Sequence, residues 1–176
     1  LLLKSDGQLE IKKFRQLELN KFDLRKADWQ EILAKGSMVL EDVLARQMVA
    51  DVPLGAFLSG GLDSSLLVAL MAQKHDKVRT FSVGFEDGLE TQSENEAADA
   101  ALLAKHLGVD HTEVIVSRSD ISKHFRTIAK GLDHPTVDGV NSWFVSQVAA
   151  KELTVAISGT GGDELFAGYP WFQTML

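Results

Sequence analysis

The sequence predicts an α/β fold: a doubly wound parallel sheet with helices on both faces. Short, nearly all-apolar runs alternate along the chain with helical patterns, as they do in repeated strand–helix–strand units. Two glycine-rich segments, 59–65 and 158–164, each follow one of these runs directly. Ligands of a doubly wound sheet bind outside the carboxyl ends of its strands, so both segments fall where a binding site is expected.

The individual elements follow from apolar periodicity and from residues that start or stop helices. A capping box at Asp28 and Glu31 predicts a long amphipathic helix that runs to about Ala50. Strands are expected over 52–59, 79–85, 112–116 and 154–158. Further helices are expected over 66–73, from Ser93 to Gly108, over 120–129 and over 141–152. Two of them have predicted inward faces: Leu66, Leu67, Leu70 and Met71, then Ala97, Ala101, Leu102 and Leu107.

The segment after the first predicted strand of the sheet has the composition of a phosphate-binding loop. It reads Ser59, Gly60, Gly61, Leu62, Asp63, Ser64 and Ser65. Two glycines let the backbone turn sharply and approach a ligand closely, so that the amides of the next helix can point at an anion. The serine hydroxyls are expected to donate hydrogen bonds to pyrophosphate oxygens. A Walker A loop would contain a Lys, whereas the nearest one following is Lys74, so γ-phosphoryl transfer is not predicted.

Asp63 is predicted to hold a divalent cation. A carboxylate that faces a polyphosphate repels it unless a cation lies between them, so phosphate binding here implies Mg²⁺. The segment after the apolar run 155–157 repeats the design, with Ser158, Gly159 and further glycines before Asp163. Two such loops suit ATP stretched across the crevice, and Asp163 is the second predicted Mg²⁺ ligand.

The SGGLDSS loop resembles the pyrophosphate-binding loop of the ATP pyrophosphatase (PP-loop) superfamily, whose members cleave ATP between the α and β phosphates. Three flanking segments narrow the resemblance: 52–55 (VPLG), 81–85 (FSVGF) and 158–169 (SGTGGDELFAGY). Together they resemble the synthetase domain of glutamine-dependent asparagine synthetase, from about residue 30 to the C-terminus. The likeness implies that the predicted sheet has the adenine nucleotide alpha hydrolase-like (PP-loop) fold.

The resemblance also implies a domain organisation. Residues 28–176 are expected to be part of the ATP pyrophosphatase synthetase domain, and 1–27 a linker and hairpin remnant from a preceding glutaminase domain. The chain lacks a starting Met and stops six residues after Pro170, so we expect an excerpt of a longer protein. The segment 133–139 (DHPTVDG) resembles the substrate-side loop of the family.

The activity implied by the resemblance is that of an ATP-dependent carbon–nitrogen ligase of asparagine biosynthesis. A substrate carboxylate, aspartate by default, attacks the α-phosphorus to give an acyl-adenylate and pyrophosphate. Ammonia from the glutaminase domain then displaces AMP to form the amide. The resemblance implies that the adenosine part of ATP contacts Leu58, Val83, Ser158 and Gly159.

Thr160 and Asp163 are the predicted catalytic residues, and Thr160 departs from the family pattern. Well-known asparagine synthetases carry Glu there, implicated in forming the acyl-adenylate, and Thr can neither carry negative charge nor act as a carboxylate base. Two alternatives therefore stay open. One is a related amidotransferase for another carboxylate, in polysaccharide or peptide modification or in ring closure, and the other is a catalytically silent nucleotide-binding module.

Composition bounds the class of protein and its partners. Of the 176 residues, 45% are hydrophobic and 24% charged, as is ordinary for globular domains. The net charge of −7, with Lys and Arg scattered, argues against nucleic-acid binding. No apolar run approaches the roughly 20 residues that span a bilayer. The chain has no Cys, which is compatible with the cytoplasmic location that we expect. Its five histidines lack metal-ligand spacing and are expected to be solvated or in the core. The oligomeric state is left open, with a homodimer as one possibility.

Overall fold

The computed structural model describes most of the chain. The described residues are 2–11, 13, 28–86, 96–132, 134, 136 and 139–175. Three predictions fall wholly or partly outside these ranges: the helix start at Ser93, most of the linker over 1–27, and positions 133, 135, 137 and 138 of the substrate-side segment. They stay predictions. Among the described residues, no helix has both the length and the apolar character needed to cross a membrane.

The chain divides into two compact units, Leu1–Met38 and Val39–Leu176. In the first unit, strands β1 (Leu2–Leu3) and β2 (Leu9–Glu10) pair antiparallel. The turn between them has Gly7 at a φ of 82°, a left-handed conformation that glycine adopts without steric cost. The predicted domain boundary at residue 28 is not decided by this division.

Helix α1 (Trp29–Gln47) begins where the sequence predicts. The amide of Gln30 donates a hydrogen bond to Asp28 Oδ1 at 2.9 Å, which satisfies one of the free amides of the first turn. Glu31 pairs with Lys35 one turn further on, with 2.5 Å between Oε1 and Nζ. Asp28 therefore acts as an N-cap, while the charge of Glu31 supports the helix through an i, i+4 ion pair.

A four-stranded parallel sheet forms the centre of the second unit. Its strands are β3 (Leu54–Phe57), β4 (Arg79–Phe85), β5 (Asp110–Val116) and β6 (Val155–Ile157). The spatial order is β5-β4-β3-β6, so the chain runs outward from β3 to β5 and then returns to pair β6 with the other side of β3. All four predicted strands are confirmed. The order reverses between β3 and β6, and such a switch point opens a ligand crevice at the carboxyl ends of the strands.

Helices cover both faces of this sheet, which confirms the predicted fold class. They are α2 (Leu62–Lys74), α3 (Glu96–Leu107), α4 (Arg118–Gly131) and α5 (Gly139–Ala149), followed by the short helices α6 (Gly162–Phe166) and α7 (Pro170–Thr174). The core on one face joins α2 and α3 to β3 and consists mainly of Ala56, Leu58, Val68, Met71, Ala100 and Ala104. The core on the other face involves α4 and α5, with Phe81, Val116, Ile128, Phe144, Val145 and Ala149.

The predicted inward face of α2 is confirmed at Met71, which is buried, and at Leu67 and Leu70, which pack against the core, but it is wrong at Leu66. Leu66 is 47% exposed, whereas Val68 is fully buried. Buried positions follow the stripe Ser64, Val68 and Met71, at spacings of four and three residues. Since α2 carries apolar residues on most of its surface, periodicity alone does not select the stripe. The loop that leads into α2 selects it instead, because it directs Ser64 inward.

On α3, Leu107 packs against the core as predicted, whereas Ala101 and Leu102 are exposed and the prediction is wrong there. The buried residues are Ala100 and Ala104, which lets α3 lie close to β4. A Cβ added to Gly84 on that strand would be 3.3 Å from Ala97 Cβ, so glycine faces alanine across the contact. Small side chains thus determine which stripe packs, and the larger Leu102 points to solvent.

Candidate functional site

The first glycine-rich loop leads from β3 directly into α2. Gly60 has a φ of 83°, and a Cβ there would be 2.6 Å from the carbonyl oxygen of Glu96 on α3. Gly61 is the N-cap of α2 and makes no side-chain capping hydrogen bond. Because a glycine N-cap brings no oxygen to the amides of the first turn, those amides are left for a ligand. The loop therefore has the backbone geometry of an anion site.

The hydroxyl of Ser64 holds this loop together. It accepts a hydrogen bond from the Ser59 amide at 3.2 Å, donates to the Gly61 carbonyl at 3.1 Å and lies 3.0 Å from Ser59 Oγ. Ser64 is only 8% exposed. Its single proton goes to the carbonyl, so the contact between the two hydroxyls uses the proton of Ser59. In this structure the Ser64 hydroxyl stabilises the loop, and its predicted contact with pyrophosphate stays a prediction.

The second glycine-rich loop follows β6 and turns tightly before α6. The amide of Gly162 donates to the Gly159 carbonyl at 3.1 Å, and Gly161 has a φ of 98°. Ser158 Oγ accepts from the Thr160 amide at 3.2 Å and lies 2.7 Å from the Thr160 hydroxyl. The side chain of Thr160 is therefore hydrogen-bonded within its own loop.

The two loops pack directly against each other. A Cβ built on Gly159 would be 2.9 Å from the Ser64 amide nitrogen and 3.2 Å from Asp63 Cβ. A Cβ on Gly162 would overlap the carboxylate of Asp63. Glycine is needed at position 159 because the atoms that a Cβ would meet there belong mainly to the backbone at the start of α2, whereas the Asp63 carboxylate could rotate away from a side chain at position 162. The structure therefore brings together the two loops that the sequence analysis singled out separately.

Asp63 and Asp163 line the same cavity. The carboxylate of Asp163 lies against Gly168, where a Cβ would overlap its Oδ1. No group of three or more His, Cys, Asp or Glu side chains among the described residues could hold a metal ion. Mg²⁺ bound with a nucleotide typically takes one or two carboxylates and completes its shell with phosphate oxygens and water. The two carboxylates therefore fit Mg²⁺ that arrives with phosphates.

The cavity has a volume of about 860 Å³, within the usual range for small-molecule sites. Ten of the predicted site residues line it: Leu58, Ser59, Gly61, Asp63, Ser64, Val83, Ser158, Gly159, Thr160 and Asp163. The predicted residues Gly60 and Ser65 are not among the lining residues that the structure describes. The lining combines the polar groups of the two loops with the aromatic side chains of Phe57, Phe81 and Phe85. Polar and aromatic groups in one cavity suit a nucleotide.

Several residues that line the cavity were not predicted from the sequence. They include Phe57, Phe81, Ser82, Phe85, Asn141 and Ser142. Residues on β4 could have been found from their place in a strand that ends at the predicted crevice. No comparable signal exists for Asn141 and Ser142, because α5 reaches the cavity only through packing.

Comparison with known proteins gives a family. The family model described as asparagine synthase matches residues 36–176. Asparagine synthetase [glutamine-hydrolyzing] 1 of Bacillus subtilis is 38% identical over 131 residues, which cover 73% of this chain and 20% of that protein. A putative asparagine synthetase [glutamine-hydrolyzing] of Mycobacterium bovis is 39% identical over 156 residues, covering 88% and 23%. The chain thus spans about a fifth of the length of these curated relatives.

A solved structure shares the fold at low sequence identity. The U34-tRNA thiolase of Methanococcus maripaludis, solved with its [4Fe-4S] cluster, aligns with a TM-score of 0.51 and 16% identity. The alignment covers 74% of this chain and 46% of that one. At this identity the likeness concerns the fold alone, and it agrees with the doubly wound sheet described above.

Proposed function

Because this chain belongs to the asparagine synthase family, we propose that it forms the ATP-binding part of an enzyme that converts a carboxylate into an amide. The observation that carries the proposal is the contact between the two glycine-rich loops. Gly159 lies close to the Ser64 amide, and both loops line a single cavity. That cavity opens at the switch point of the sheet, where a nucleotide is expected to bind.

The phosphates of ATP would lie beside the two loops. The first-turn amides of α2 point there, and the positive end of the helix dipole favours negative charge. Backbone amides of the second loop supply further donors close by. These groups are fixed by the loop hydrogen bonds before a ligand arrives, so little reorganisation is needed on binding.

Asp63 and Asp163 would hold Mg²⁺ beside these phosphates. When bound, the ion would neutralise charge that develops on pyrophosphate as it leaves. Asp63 suits this role because the second loop presses against its carboxylate and restricts where it can lie. The adenosine part would occupy the rest of the cavity, against Leu58 and Val83.

The reaction proposed at this site has two steps. An oxygen of the substrate carboxylate attacks the α-phosphorus, the bond to the β-phosphate oxygen breaks, and pyrophosphate leaves. The acyl-adenylate then reacts with ammonia at its carbonyl carbon, forming a carbon–nitrogen bond and releasing AMP. In the full-length protein a glutaminase domain would supply the ammonia, and aspartate is the proposed carboxylate.

A second candidate is an amidotransferase that acts on another carboxylate. The specific observation in its favour is Thr160, whose hydroxyl lies 2.7 Å from Ser158 Oγ and whose amide donates to the same oxygen. A neutral side chain held in this way offers no carboxylate to the reacting groups. An enzyme built around Thr160 would have to position its acyl substrate with other residues.

The test is pyrophosphate release by the full-length protein with ATP, Mg²⁺, ammonia and a panel of carboxylates. We expect release that depends on a carboxylate and matches the amount of amide formed. Asparagine as the product supports aspartate, whereas amidation of another carboxylate supports the second candidate. Tight ATP binding without pyrophosphate release for any carboxylate would identify a nucleotide-binding module instead.

Substitution at Thr160 separates the two acyl candidates further. If Thr160 marks an altered substrate, Thr160→Glu should raise turnover of aspartate at the expense of the preferred carboxylate. Wild-type turnover of aspartate that already matches a Glu-bearing relative, with no gain from the substitution, would contradict the second candidate. Steady-state kinetics with both carboxylates gives the comparison.

A further inference from the structure

We propose that Gly168 is a positioning residue for Asp163. Because Gly168 has no side chain, the Asp163 carboxylate can occupy the space beside it, and this contact sets the orientation in which the carboxylate meets a cation. Both residues line the cavity. The inference rests on the proposed ATP-binding function and adds to it a residue that orients one of the two proposed Mg²⁺ ligands.

The turn that ends α6 brings Gly168 back to Asp163. The amides of Ala167 and Gly168 both donate to the Asp163 carbonyl, the second of them at 3.0 Å. Ala167 has a φ of 56° and a ψ of 42°, the left-handed conformation that commonly ends a helix. Among the described residues it is the only one other than glycine with a positive φ. The turn is therefore kept although its left-handed residue has a Cβ, which makes that conformation sterically unfavourable.

The backbone conformation of Gly168 does not require a glycine. In a helix end of this kind, glycine is usual at the left-handed position, which Ala167 occupies here. Gly168 follows one residue later, and its φ lies outside the left-handed region. The glycine at position 168 thus needs a different explanation from the glycines whose φ is positive.

The space beside Gly168 supplies that explanation. A Cβ built there would overlap Asp163 Oδ1 and would lie 3.0 Å from Cγ and 3.4 Å from Cα of the same residue. The three nearest atoms therefore all belong to Asp163. Any side chain at position 168 would meet the carboxylate first, and the carboxylate would have to turn away from its present orientation.

The chain after Gly168 is tied to α6, which limits how far its backbone can move. The Tyr169 hydroxyl donates to Glu164 Oε1 at 2.8 Å. The ring of Tyr169 stacks on Trp171, with 4.2 Å between the ring centroids and 13° between the planes. Gly168 lies between these contacts and its own amide hydrogen bond to Asp163. A side chain added at position 168 should therefore displace the Asp163 carboxylate rather than the turn.

Gly168→Ala tests this positioning because it keeps the charge of Asp163 and changes only its orientation. Residues that orient a metal ligand typically contribute about 10- to 100-fold to metal affinity. We expect the Mg²⁺ concentration that gives half-maximal enhancement of ATP binding to rise at least about tenfold. The affinity for ATP without Mg²⁺ and the melting temperature should stay close to those of the wild type.

The experiment is calorimetric titration of the full-length protein with ATP at a series of Mg²⁺ concentrations. Asp163→Ala and the double variant are measured in the same way. Asp163→Ala removes both the charge and the overlapping atom, so it should raise the Mg²⁺ requirement, and Gly168→Ala should raise it no further in that background. The matched control is Gly131→Ala, where the added Cβ would lie 3.8 Å from Trp143, an ordinary contact, and the Mg²⁺ requirement should not change.

Tyr169→Phe replaces Gly168→Ala in this test if Gly168→Ala does not fold. It removes the hydroxyl that binds Glu164 and keeps the ring that stacks on Trp171. With the turn held less firmly, the Mg²⁺ requirement should rise in the Asp163 background and stay unchanged in the Asp163→Ala background. A wild-type Mg²⁺ requirement in Tyr169→Phe would then overturn the inference.

The outcomes separate this inference from the proposed function. An unchanged Mg²⁺ requirement in folded Gly168→Ala, together with a raised one in Asp163→Ala, would overturn the role of Gly168 alone. An equal rise from Gly168→Ala in both backgrounds would also overturn it, because the effect would not pass through Asp163. A wild-type Mg²⁺ requirement in Asp163→Ala would contradict the proposed Mg²⁺ ligand, and a wild-type protein that binds no ATP would contradict the proposed ATP site. In either case the inference fails with the proposed function.

Discussion

Replacing Gly159 by Ala should separate the two loops of the candidate site. The added Cβ would lie 2.9 Å from the Ser64 amide nitrogen and 3.2 Å from both the carbonyl carbon and Cβ of Asp63. Ordinary contacts between such atoms are about 3.5 Å or longer, so the loops must move apart by roughly half an ångström. The atoms concerned belong mainly to the backbone of α2 and cannot rotate aside. Overpacking of this kind costs about 1–3 kcal/mol of folding free energy.

The same shift should weaken ATP binding. It moves the first-turn amides of α2 away from the phosphates that we propose to lie between the two loops. Loss of one hydrogen bond to a charged group weakens binding by about 1.5–3 kcal/mol, which is roughly a 10- to 150-fold increase in Kd. Calorimetric titration with ATP and Mg²⁺ measures the affinity, and urea unfolding measures the stability.

Two other glycines serve as matched controls for Gly159→Ala. A Cβ built on Gly161 or on Gly36 would have no heavy atom of the described residues within 4 Å, apart from its chain neighbours and, for Gly36, the backbone of its own helix. Gly161→Ala should destabilise only through its φ of 98° and should affect ATP binding less. Gly36→Ala, within α1, should stabilise by about 1 kcal/mol. A Gly159→Ala variant with the wild-type Kd for ATP and the wild-type free energy of unfolding would refute the close packing of the loops.

Three further substitutions test other parts of the account. Asp63→Asn keeps the shape of the side chain and removes its charge, so pyrophosphate release should fall at least about tenfold with an unchanged melting temperature. Normal turnover would instead show that Asp63 only stabilises the start of α2. Burial lowers the pKa of His111 from its ordinary 6.5, so the unfolded chain binds a proton on this ring at a higher pH than the folded chain does. The free energy of unfolding should therefore decline as the pH falls below about 6.5. His111→Gln should flatten this decline in urea titrations between about pH 7 and pH 5, and equal slopes would contradict the assignment. Val68→Ala should lower the free energy of unfolding by about 2 kcal/mol, and Leu66→Ala should lower it by clearly less because Leu66 is half exposed. Equal losses for the two variants in thermal or urea unfolding would show that Leu66 contributes to the core as much as Val68 does.

The strands and both loops could be predicted because their signals are local. A strand buried on both faces is an apolar run, and each loop shows its glycines and Asp within a few residues. The order of the strands has no such local signal, because β6 pairs with β3 although β4, β5 and four helices lie between them in the sequence. The sequence therefore predicted two anion loops without showing that Gly159 touches the start of α2.

Side-chain environments were harder to predict than the elements themselves. The stripe of α2 that packs inward depends on how the preceding loop directs Ser64, and that of α3 depends on Gly84 across the contact. The link between Ser82 and His111 depends on the register of β4 with β5, in which Thr80 lies opposite His111. No spacing within one segment carries such information, because the two residues are brought together only by strand pairing.

The central claim is that the loops after β3 and β6 form one site at which ATP is cleaved between its α and β phosphates. The most direct measurement follows the nucleotide products in a quenched single turnover of the full-length protein with α-labelled ATP, Mg²⁺, ammonia and the accepted carboxylate. We expect AMP and pyrophosphate in equal amounts, each matching the amide formed. ADP and inorganic phosphate as the products would contradict it.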